Sequence, residues 1–390
     1  MNNGRTVFAQ ISDLIPRKRF HTLVDRYDGD YKNRGFTCYD QLLTMIFAQL
    51  TYCESLRDIQ ASLSARPELL YHLGIRKIIR KSTLADANEF RDSRIFEGLA
   101  RILMNQAREL YVDEPLAIDL DENTDVYAFD STTISLCLAL FPWAKFRKRK
   151  AAIKLHTLID IQGAIPSFIH ISPGKEHDVT ALDLLQIQSD AFYLMDKGYI
   201  DYKRLYRFTL AGAFFVSRLK DKAKFRVICS RKVDKCLGLI CDQTIRLTSD
   251  KAATDHPTDL RRVRFRDILT NNEYSFLSNN MEIEAITIAD LYKLRWRVEL
   301  FFKWIKQHLR IKAFYGTSEN AVRVQTWTAI SAYCLLAILR KQLNLKHDMH
   351  QMTQILKLHL FAKTPVIELF SKMPPQIQQV GDRNQLVLFE

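Results

Sequence analysis

Two aspartates follow apolar runs that the sequence predicts to be strands. Asp130 comes directly after Val126 to Phe129, and Asp196 comes directly after Phe192 to Met195. Acids at the carboxyl ends of neighbouring strands in an α/β sheet lie where such folds place their functional sites. Because an Asp at either position could also be a turn or helix-capping residue, it is the pair that indicates a site.

A third acid, Glu299, lies in the basic and apolar segment "YKLRWRVELFFKWIKQHLRI". At about 100° per residue, one continuous helix would carry a polar stripe formed by Tyr292, Arg295, Glu299 and Lys306. A carboxylate there is partly shielded from water and binds cations more strongly than one on open surface. The alternative is a surface Glu paired with Arg295 and Lys303, worth about 0.3–0.5 kcal/mol per pair.

Three carboxylates from distant parts of a chain suit phosphoryl transfer with two metal ions. Mg²⁺ prefers oxygen ligands, and two such ions about 3.5–4 Å apart activate the attacking oxygen and stabilise the leaving one. Lys and Arg side chains nearby would hold the phosphates. We therefore predict that Asp130, Asp196 and Glu299 meet in one pocket.

The elements that position these acids follow from periodicity. Helical spacing gives way to strands alternating with helices, then to short strand-like pieces, and finally to long helices. We expect a turn at Gln162-Gly163 and a helix capped by Ser82. The expected regions are residues 1–115 (helical, DNA-binding), 120–219 (first part of an α/β core), 220–286 (β-rich insertion), 287–315 (final core helix region carrying Glu299) and 316–390 (helical C-terminal region and tail).

The charge balance favours a polyanionic partner. The chain has 390 residues and a formal net charge of +13, with its basic residues in clusters, and such clusters attract nucleic acid first and acidic membrane second. If "RRVRFRD" forms a strand, the side chains of Arg262, Arg264 and Arg266 lie on the same face of it. That face either contacts DNA or guards an exposed sheet edge.

Two further polar segments leave alternatives open. "RKRKAAIK", from Arg147 to Lys154, is either a phosphate-facing entry to a strand or a solvated loop. His177 in "GKEHDV" either contacts water or DNA near the site or caps a helix that begins near Asp178, and capping is the commoner role for a loop residue there.

The sequence carries no mark of a secreted or membrane protein. Its seven cysteines form no CxxC pair, and we expect buried free thiols in a reducing compartment. No run reaches the roughly 18 apolar residues of a membrane span, and the opening "MNNGRTVFAQ" has no apolar run. We therefore expect a soluble, cytoplasmic protein with no membrane partner.

Four motifs resemble those of the bacterial insertion-sequence transposases of the DDE type. They are "FDSTTI", "MDKGY", "GAFFVSRL" and "YKLRWRVELFFKWIK", the last matching Y-x2-R-x3-E-x6-K in full as Tyr292, Arg295, Glu299 and Lys306. The resemblance covers roughly residues 125–315 and indicates the branch with a β insertion in its core. "NNGRTVFAQ", "FAQLTYCESLRDI" and "GIRKIIRKSTLADAN" are similar to a leader domain on some members of that branch.

This resemblance implies an α/β ribonuclease H-like catalytic core interrupted by the insertion, with helical N- and C-terminal regions. Asp130, Asp196 and Glu299 would bind two Mg²⁺ ions, for which Mn²⁺ would substitute. Water would hydrolyse one strand at the end of the element, and the freed 3′ hydroxyl would attack the opposite strand or the target. The expected DNA contacts are Tyr292, Arg295, Lys306 and Arg218, together with the three strand arginines.

The implied partners are double-stranded DNA, at terminal inverted repeats and target, and a second copy of the chain in a homodimer. The implied location is the bacterial cytoplasm, in association with the nucleoid. Cut-and-paste through a hairpin intermediate needs a stacking side chain, and residues 220–286 contain no Trp. Either Tyr274, Phe276 or Phe265 substitutes for it, or the hairpin route differs. The rival functions are a metal-dependent nuclease with the same core and a non-catalytic DNA-binding protein derived from a transposase.

Overall fold

The computed structural model describes residues 4–33, 35–116, 118–121, 124–148, 150–308 and 314–371. The helices are α1 Val7–Ser12, α2 Arg17–Arg26, α3 Cys38–Thr51, α4 Leu56–Ser64, α5 Lys81–Phe90, α6 Ser93–Tyr111, α7 Tyr202–Leu210, α8 Asp250–Asp255, α9 Ala285–Leu294, α10 Trp296–His308, α11 Glu319–Gln342, α12 Met349–His359 and α13 Val366–Ser371. The strands are β1 Val126–Leu136, β2 Lys145–Arg147, β3 Lys150–Asp160, β4 Ile165–Pro173, β5 Phe192–Met195, β6 Phe214–Arg218, β7 Phe225–Arg231, β8 Leu239–Leu247, β9 Leu260–Arg266 and β10 Glu273–Ser278. The expected mixed α/β class with helical terminal regions is confirmed, and the predicted tail from Lys372 lies outside the described residues.

The described chain divides into two units. A helical unit combines residues within Met1–Val112, Ile134–Ile153 and Phe302–Ile377. A sheet unit combines residues within Asp113–Thr133 and Lys154–Phe301. The three acids singled out by the sequence all belong to the sheet unit.

The helical unit is organised around α11, which packs against α6, α3 and α5. At 24 residues and a mean hydropathy of 1.4, α11 is long and apolar enough to cross a membrane, but 94% of that apolar stretch is buried. It is therefore a core helix. The start of α1 is joined to the segment between α12 and α13, because the Val7 and Phe8 amides donate to the carbonyls of Ala362 and Leu360.

One helix that the sequence predicts from Ser82 is in fact two. α5 has Arg80 at its N-cap position, so Ser82 lies inside the helix and is not the cap. Arg91 adopts an extended backbone after α5, since its guanidinium donates inward to the Thr37 carbonyl and the Gln41 side chain, both at 3.0 Å. Asp92 then caps α6 through the amide of Arg94.

The described strands form one mixed sheet with the order β2-β3-β1-β5-β6-β10-β9-β8-β7, in which β4 also pairs with β3. β1, β5 and β6 are parallel neighbours, with α7 as the crossover from β5 to β6. β10 pairs antiparallel with β6, and the next pairings outward are antiparallel as well. The predicted turn at Gln162-Gly163 is confirmed, and the short strand-like pieces predicted for residues 220–286 are the strands β7 to β10, whereas the short helix α8 was not predicted.

The cysteines are only partly as expected. All seven are free, but Cys137, Cys229 and Cys236 are exposed. One of these exposed thiols, Cys229, lies on β7, which among the described strands pairs with β8 alone and carries a run of exposed residues. The prediction that the thiols are buried is therefore wrong for these three.

Candidate active site

Strand register places Asp130 and Asp196 next to each other. Phe129 on β1 pairs with Met195 on β5, and both side chains are fully buried. The next residue in the chain after each of these is an aspartate, and adjacent strands lie about 4.8 Å apart, so the two carboxylates are neighbours. Asp196 follows the end of β5 as expected, whereas Asp130 lies inside β1, directly after the part of β1 that pairs with β5. The expectation that Asp130 stands at the carboxyl end of its strand is therefore wrong.

Asp130 is surrounded by hydrogen-bond donors. Its Oδ1 accepts from the Ser131 amide at 2.7 Å and from the Tyr199 hydroxyl at 3.4 Å. Its Oδ2 accepts from Arg295 Nη1 at 3.1 Å. Tyr199 and Ser131 were not singled out from the sequence, although both belong to the motifs "MDKGY" and "FDSTTI" that drew attention to their neighbours.

The electrostatics of Asp130 reflect burial beside other acids. Burial raises the pKa of Asp130 to about 6, Arg295 opposes that rise, and Glu299 and Asp196 add to it. Removing water from a carboxylate disfavours its charged form, and like charges nearby do the same. A cation bound beside Asp130 would therefore strongly stabilise the ionised form of its carboxylate.

Arg295 joins Asp130 to Glu299. Its Nη2 lies 2.6 Å from Glu299 Oε1 while its Nη1 contacts Asp130. Only 11% of the Arg295 side chain is exposed, and its buried Nε has no hydrogen-bond partner among the residues that the structure describes. A buried donor without a partner is costly unless a ligand supplies an acceptor.

The helix that carries Glu299 is interrupted at Arg295. The expected continuous helix from Tyr292 is wrong, because α9 ends at Leu294 and α10 begins at Trp296. The amides of Arg295 and Val298 bond three residues back, at 3.2 and 3.1 Å, which tightens the turn as in a 3-10 helix. Arg295 and Glu299 nevertheless stay in contact at the i, i+4 spacing of a helix.

Tyr292 links Asp196 to the same group. Its hydroxyl donates to Asp196 Oδ1 at 3.2 Å, and the guanidinium of Arg295 lies 5.5 Å from its ring centroid. The ring is buried against Phe276, with centroids 5.0 Å apart. Burial, more than the neighbouring charges, raises the pKa of Tyr292. The hydroxyl therefore stays protonated at neutral pH and donates a hydrogen bond to Asp196.

The three acids offer the type of ligand atom that a hard metal cation binds. Asp130, Asp196 and Glu299 offer carboxylate oxygens, the ligands that Mg²⁺ prefers. In the described part of the chain, no group of three or more His, Cys, Asp or Glu side chains is close enough to hold an ion together. Instead, Arg295 provides the positive charge that two of the acids share. The three acids therefore suit a divalent cation in the type of ligand atom they offer, whereas in the described conformation they are not gathered closely enough to hold one.

Two other predicted DNA contacts, Arg218 and Lys306, are not partners in the hydrogen bonds described above, although the charge of Arg218 opposes the rise in the pKa of Tyr292. Arg218 ends β6, and its guanidinium stacks 5.2 Å from the ring centroid of Tyr274. Lys306 lies on α10, within the helical unit.

The strand arginines share one face, as expected, but they differ in their partners. Arg264 and Arg266 both pair with Glu273. Arg262 bonds to the neutral side chains of Gln243 and Ser275.

The proposed stacking substitutes are buried. Tyr274, Phe276 and Phe265 are 3%, 1% and 5% exposed, because these strand positions point into the sheet unit. None can stack on a base without unfolding the sheet, so that expectation is wrong for this conformation. Two apolar side chains at the β9–β10 turn, Ile268 and Leu269, are exposed instead, at 70% and 74%.

Two acids at adjacent parallel strands, one of them joined to a helix acid by a buried arginine, place the chain among the α/β proteins. Residues 121–335, more than half of the chain, match the family model described as "Transposase DDE domain". The chain belongs to this family, the DDE transposases of insertion sequences. Residues 3–76 match a second family, described as a domain of unknown function.

Curated relatives agree with this assignment. A putative transposase of Sinorhizobium fredii (strain NGR234), y4zB, is 32% identical over 298 residues, which is 75% of this chain and 80% of that protein. A probable transposase for insertion sequence element IS5377 of Geobacillus stearothermophilus is 31% identical over 215 residues, 55% of this chain and 56% of that protein. A putative transposase for insertion sequence element IS4SA of Synechocystis is 24% identical over 269 residues, 66% and 71% of the two chains. The family expected from the motifs is confirmed, and the protein is encoded by a mobile element.

Proposed function

We propose that this transposase cuts and joins DNA at the ends of its insertion sequence, with Asp130, Asp196 and Glu299 as ligands of two Mg²⁺ ions. The observation that carries the proposal is the contact of one guanidinium, that of Arg295, with both Asp130 and Glu299. Bound ions would activate the attacking oxygen and stabilise the leaving one, and Mn²⁺ would substitute for Mg²⁺.

The catalytic core is proposed to be ribonuclease H-like. The run β4-β3-β1-β5-β6, with β1 in its middle and parallel β5 and β6 on one side, supports this fold. Residues 220–286 would interrupt the core and residues 287–315 would return to it with Glu299. Residues 1–115 would bind DNA, and residues 316–390 would form the helical C-terminal region and the tail.

The side chains around the acids have distinct proposed tasks. Arg295 would bind a phosphate near the scissile bond through Nε, which has no partner in the described chain. Tyr292 would orient Asp196 through its hydroxyl and pack under that arginine. Arg218, through its planar guanidinium, and Lys306, through its ammonium group, would contact flanking phosphates.

The proposed chemistry has two balanced steps. In the first, the oxygen of a water molecule bonds to a phosphorus at the end of the element, and the P–O3′ bond breaks to leave a 3′ hydroxyl and a 5′ phosphate. In the second, that hydroxyl attacks another phosphorus, loses its proton, and displaces the 3′ oxygen of the attacked strand. If the attacked strand is the opposite one, the product is a hairpin, and a second hydrolysis opens it for cut-and-paste transfer.

The proposed partners follow from this chemistry. Double-stranded DNA would enter both as terminal inverted repeats and as target. A homodimer would hold two element ends together, and the enzyme would work in the cytoplasm at the nucleoid. Arg262, Arg264 and Arg266 would add contacts along the backbone of the DNA.

Strand transfer tests the proposal against its two rivals. A radiolabelled, pre-cleaved element end is incubated with a supercoiled plasmid and Mg²⁺, and joined product is resolved on a gel. We expect joining by the wild type and by the control Asp221→Asn, at a position that is 91% exposed, and none by Asp196→Asn, which should still bind the end. Cleavage of uncut ends without joining would identify a nuclease, and binding without either reaction would identify a non-catalytic derivative.

A further inference from the structure

Beside Asp130 lies a polar cluster that the proposed chemistry does not use. Lys154 Nζ lies 3.1 Å from Asp178 Oδ1 and donates to the Glu176 carbonyl at 2.7 Å. The Ser131 hydroxyl donates to the same Asp178 Oδ1 at 2.6 Å. All four residues belong to the sheet unit.

Lys154 points inward, not toward a DNA strand. Its side chain is only 10% exposed, and its ammonium group lies against a carboxylate and a carbonyl. A lysine is almost never buried without a partner, because the loss of its hydration is costly. The last residue of "RKRKAAIK" is therefore a buried lysine paired with a carboxylate that is 43% exposed, and not part of a solvated loop.

His177 also falls short of the role expected from the sequence. It occupies the N-cap position of the 3-10 turn Asp178–Leu184, but its side chain makes no capping hydrogen bond. The residue of "GKEHDV" that bonds toward the site is its neighbour, Asp178.

The cluster reaches Asp130 through one residue. Asp178 holds the hydroxyl of Ser131, while the backbone amide of Ser131 donates to Asp130 Oδ1 at 2.7 Å. Ser131 is thus fixed from both its side chain and its backbone. A change in the backbone dihedral angles at Ser131 would move its amide, which is one of the three donors to the Asp130 carboxylate.

We propose that Lys154 and Asp178 are positioning residues for Asp130: their ion pair, acting through Ser131, holds the Asp130 carboxylate in the orientation that receives a divalent ion. This inference rests on the proposed function, in which Asp130 is a metal ligand. Residues that orient metal ligands through hydrogen bonds typically change metal affinity by about 10–100-fold when they are replaced.

The test measures Mn²⁺ affinity of the full chain by the electron paramagnetic resonance signal of free Mn²⁺. We expect Lys154→Met and Asp178→Asn each to weaken Mn²⁺ binding about tenfold. The double variant should lose no more than either single variant, because both act through one ion pair. The controls Lys150→Met, exposed on the same strand, and Asp221→Asn should bind Mn²⁺ as the wild type does.

Two further measurements separate positioning from other roles. DNA binding in EDTA should stay within about twofold of wild type for Lys154→Met, whereas loss of a phosphate contact would weaken it and lower the salt slope by about one. Ser131→Ala removes only the hydroxyl and keeps the amide, so it tests the link if Asp178→Asn fails to fold. It should also weaken Mn²⁺ binding.

Three outcomes would overturn the inference. Weaker DNA binding with unchanged Mn²⁺ affinity would make Lys154 a phosphate contact. A lower melting temperature with unchanged Mn²⁺ affinity would make the pair purely structural. If the wild type binds no Mn²⁺, or if Asp130→Asn binds it equally well, the proposed function itself fails and this inference fails with it.

Discussion

At the scale of single residues, the site is a balance between acids and one buried base. Asp130 and Glu299 are held near each other because the guanidinium of Arg295 contacts both. Without that charge the two carboxylates would repel each other in a partly desolvated place. Arg295 therefore reduces the repulsion between these two carboxylates, as a bound divalent ion would also do.

Replacing Arg295 should make the protein depend on metal for stability. We expect Arg295→Met to lose about 3 kcal/mol of unfolding free energy in EDTA, the usual cost of removing one partner from a buried ion pair. Mn²⁺ should raise its melting temperature more than it raises that of the wild type, since the ion replaces the missing charge. The control is Lys303→Met, exposed on α10. Equal melting temperatures of variant and wild type in EDTA would contradict this account of Arg295.

His156 should add a pH dependence to stability. It is completely buried on β3, with Nε2 2.9 Å from the Ser172 hydroxyl, and burial lowers the pKa of His156 from 6.5 to about 4. Between these values the unfolded chain binds a proton that the folded protein does not. The free energy of unfolding must therefore fall as pH falls from 6.5 to 4, by about 3 kcal/mol in total.

Urea denaturation at a series of pH values checks this expectation. His156→Gln removes the titrating group, so its stability should fall less steeply than that of the wild type below pH 6.5. The difference between the two curves isolates the histidine from carboxylates that titrate in the same range. Parallel curves for the two proteins would show that His156 titrates alike in folded and unfolded chains.

At the scale of elements, strand register and strand partners decide which charges are available. The pairing of β1 with β5 ends at Phe129 and Met195, so the aspartates that follow these two residues are neighbours. On β9 the three outward arginines are not equivalent, because Glu273 on β10 neutralises part of the charge of Arg264 and Arg266. This pairing weakens the basic face that the sequence predicts.

Removing that acid should strengthen DNA binding. We expect Glu273→Gln to bind duplex DNA about threefold more tightly in EDTA and to show a steeper dependence on salt, because two arginines become free to contact phosphates. Fluorescence anisotropy at several salt concentrations measures both effects. Glu282→Gln, also exposed in the sheet unit, controls for the change in net charge. Equal effects of the two variants would show that the β9 face does not meet DNA.

At the scale of the whole molecule, the first and last parts of the chain depend on each other. Asn320, near the start of α11, donates to the carbonyls of Asn88, Glu89 and Arg91, and its Oδ1 accepts from the amide of Ser93. One side chain thus closes the end of α5 and the start of α6. The N-terminal helices are consequently stabilised by a residue more than two hundred positions later in the chain.

Asn320→Ala should destabilise the helical unit. Loss of these hydrogen bonds leaves backbone groups without partners, which we expect to cost about 2–4 kcal/mol. Thermal unfolding followed by circular dichroism at 222 nm measures the loss. Gln354→Ala, on the exposed face of α12, should change the melting temperature little, and a similar small effect for Asn320→Ala would mean that this cap carries no stability.

The local pattern of apolar and polar residues was enough to predict the strands and the candidate acids. It was not enough to predict which distant side chains contact those acids. Asp130 and Asp196 could be singled out because each ends an apolar run, and the insertion strands because their residues alternate. The break between α5 and α6 at Arg91 could not be predicted in this way, because it depends on tertiary hydrogen bonds from Arg91 to Thr37 and Gln41. The same holds for the contact of Lys154 with Asp178, because residues 24 positions apart meet only once β3 and the turn after β4 are in place.

The central claim is that Asp130, Asp196 and Glu299 bind metal ions together, and iron-directed cleavage of the polypeptide tests it most directly. Fe²⁺ replaces Mg²⁺, and ascorbate with peroxide generates hydroxyl radicals that cut the backbone near bound iron. We predict fragments from cuts near all three residues, which excess Mg²⁺ suppresses and which Asp196→Asn abolishes together. Cuts near only one of the three, or a pattern unchanged by Asp196→Asn, would contradict the account.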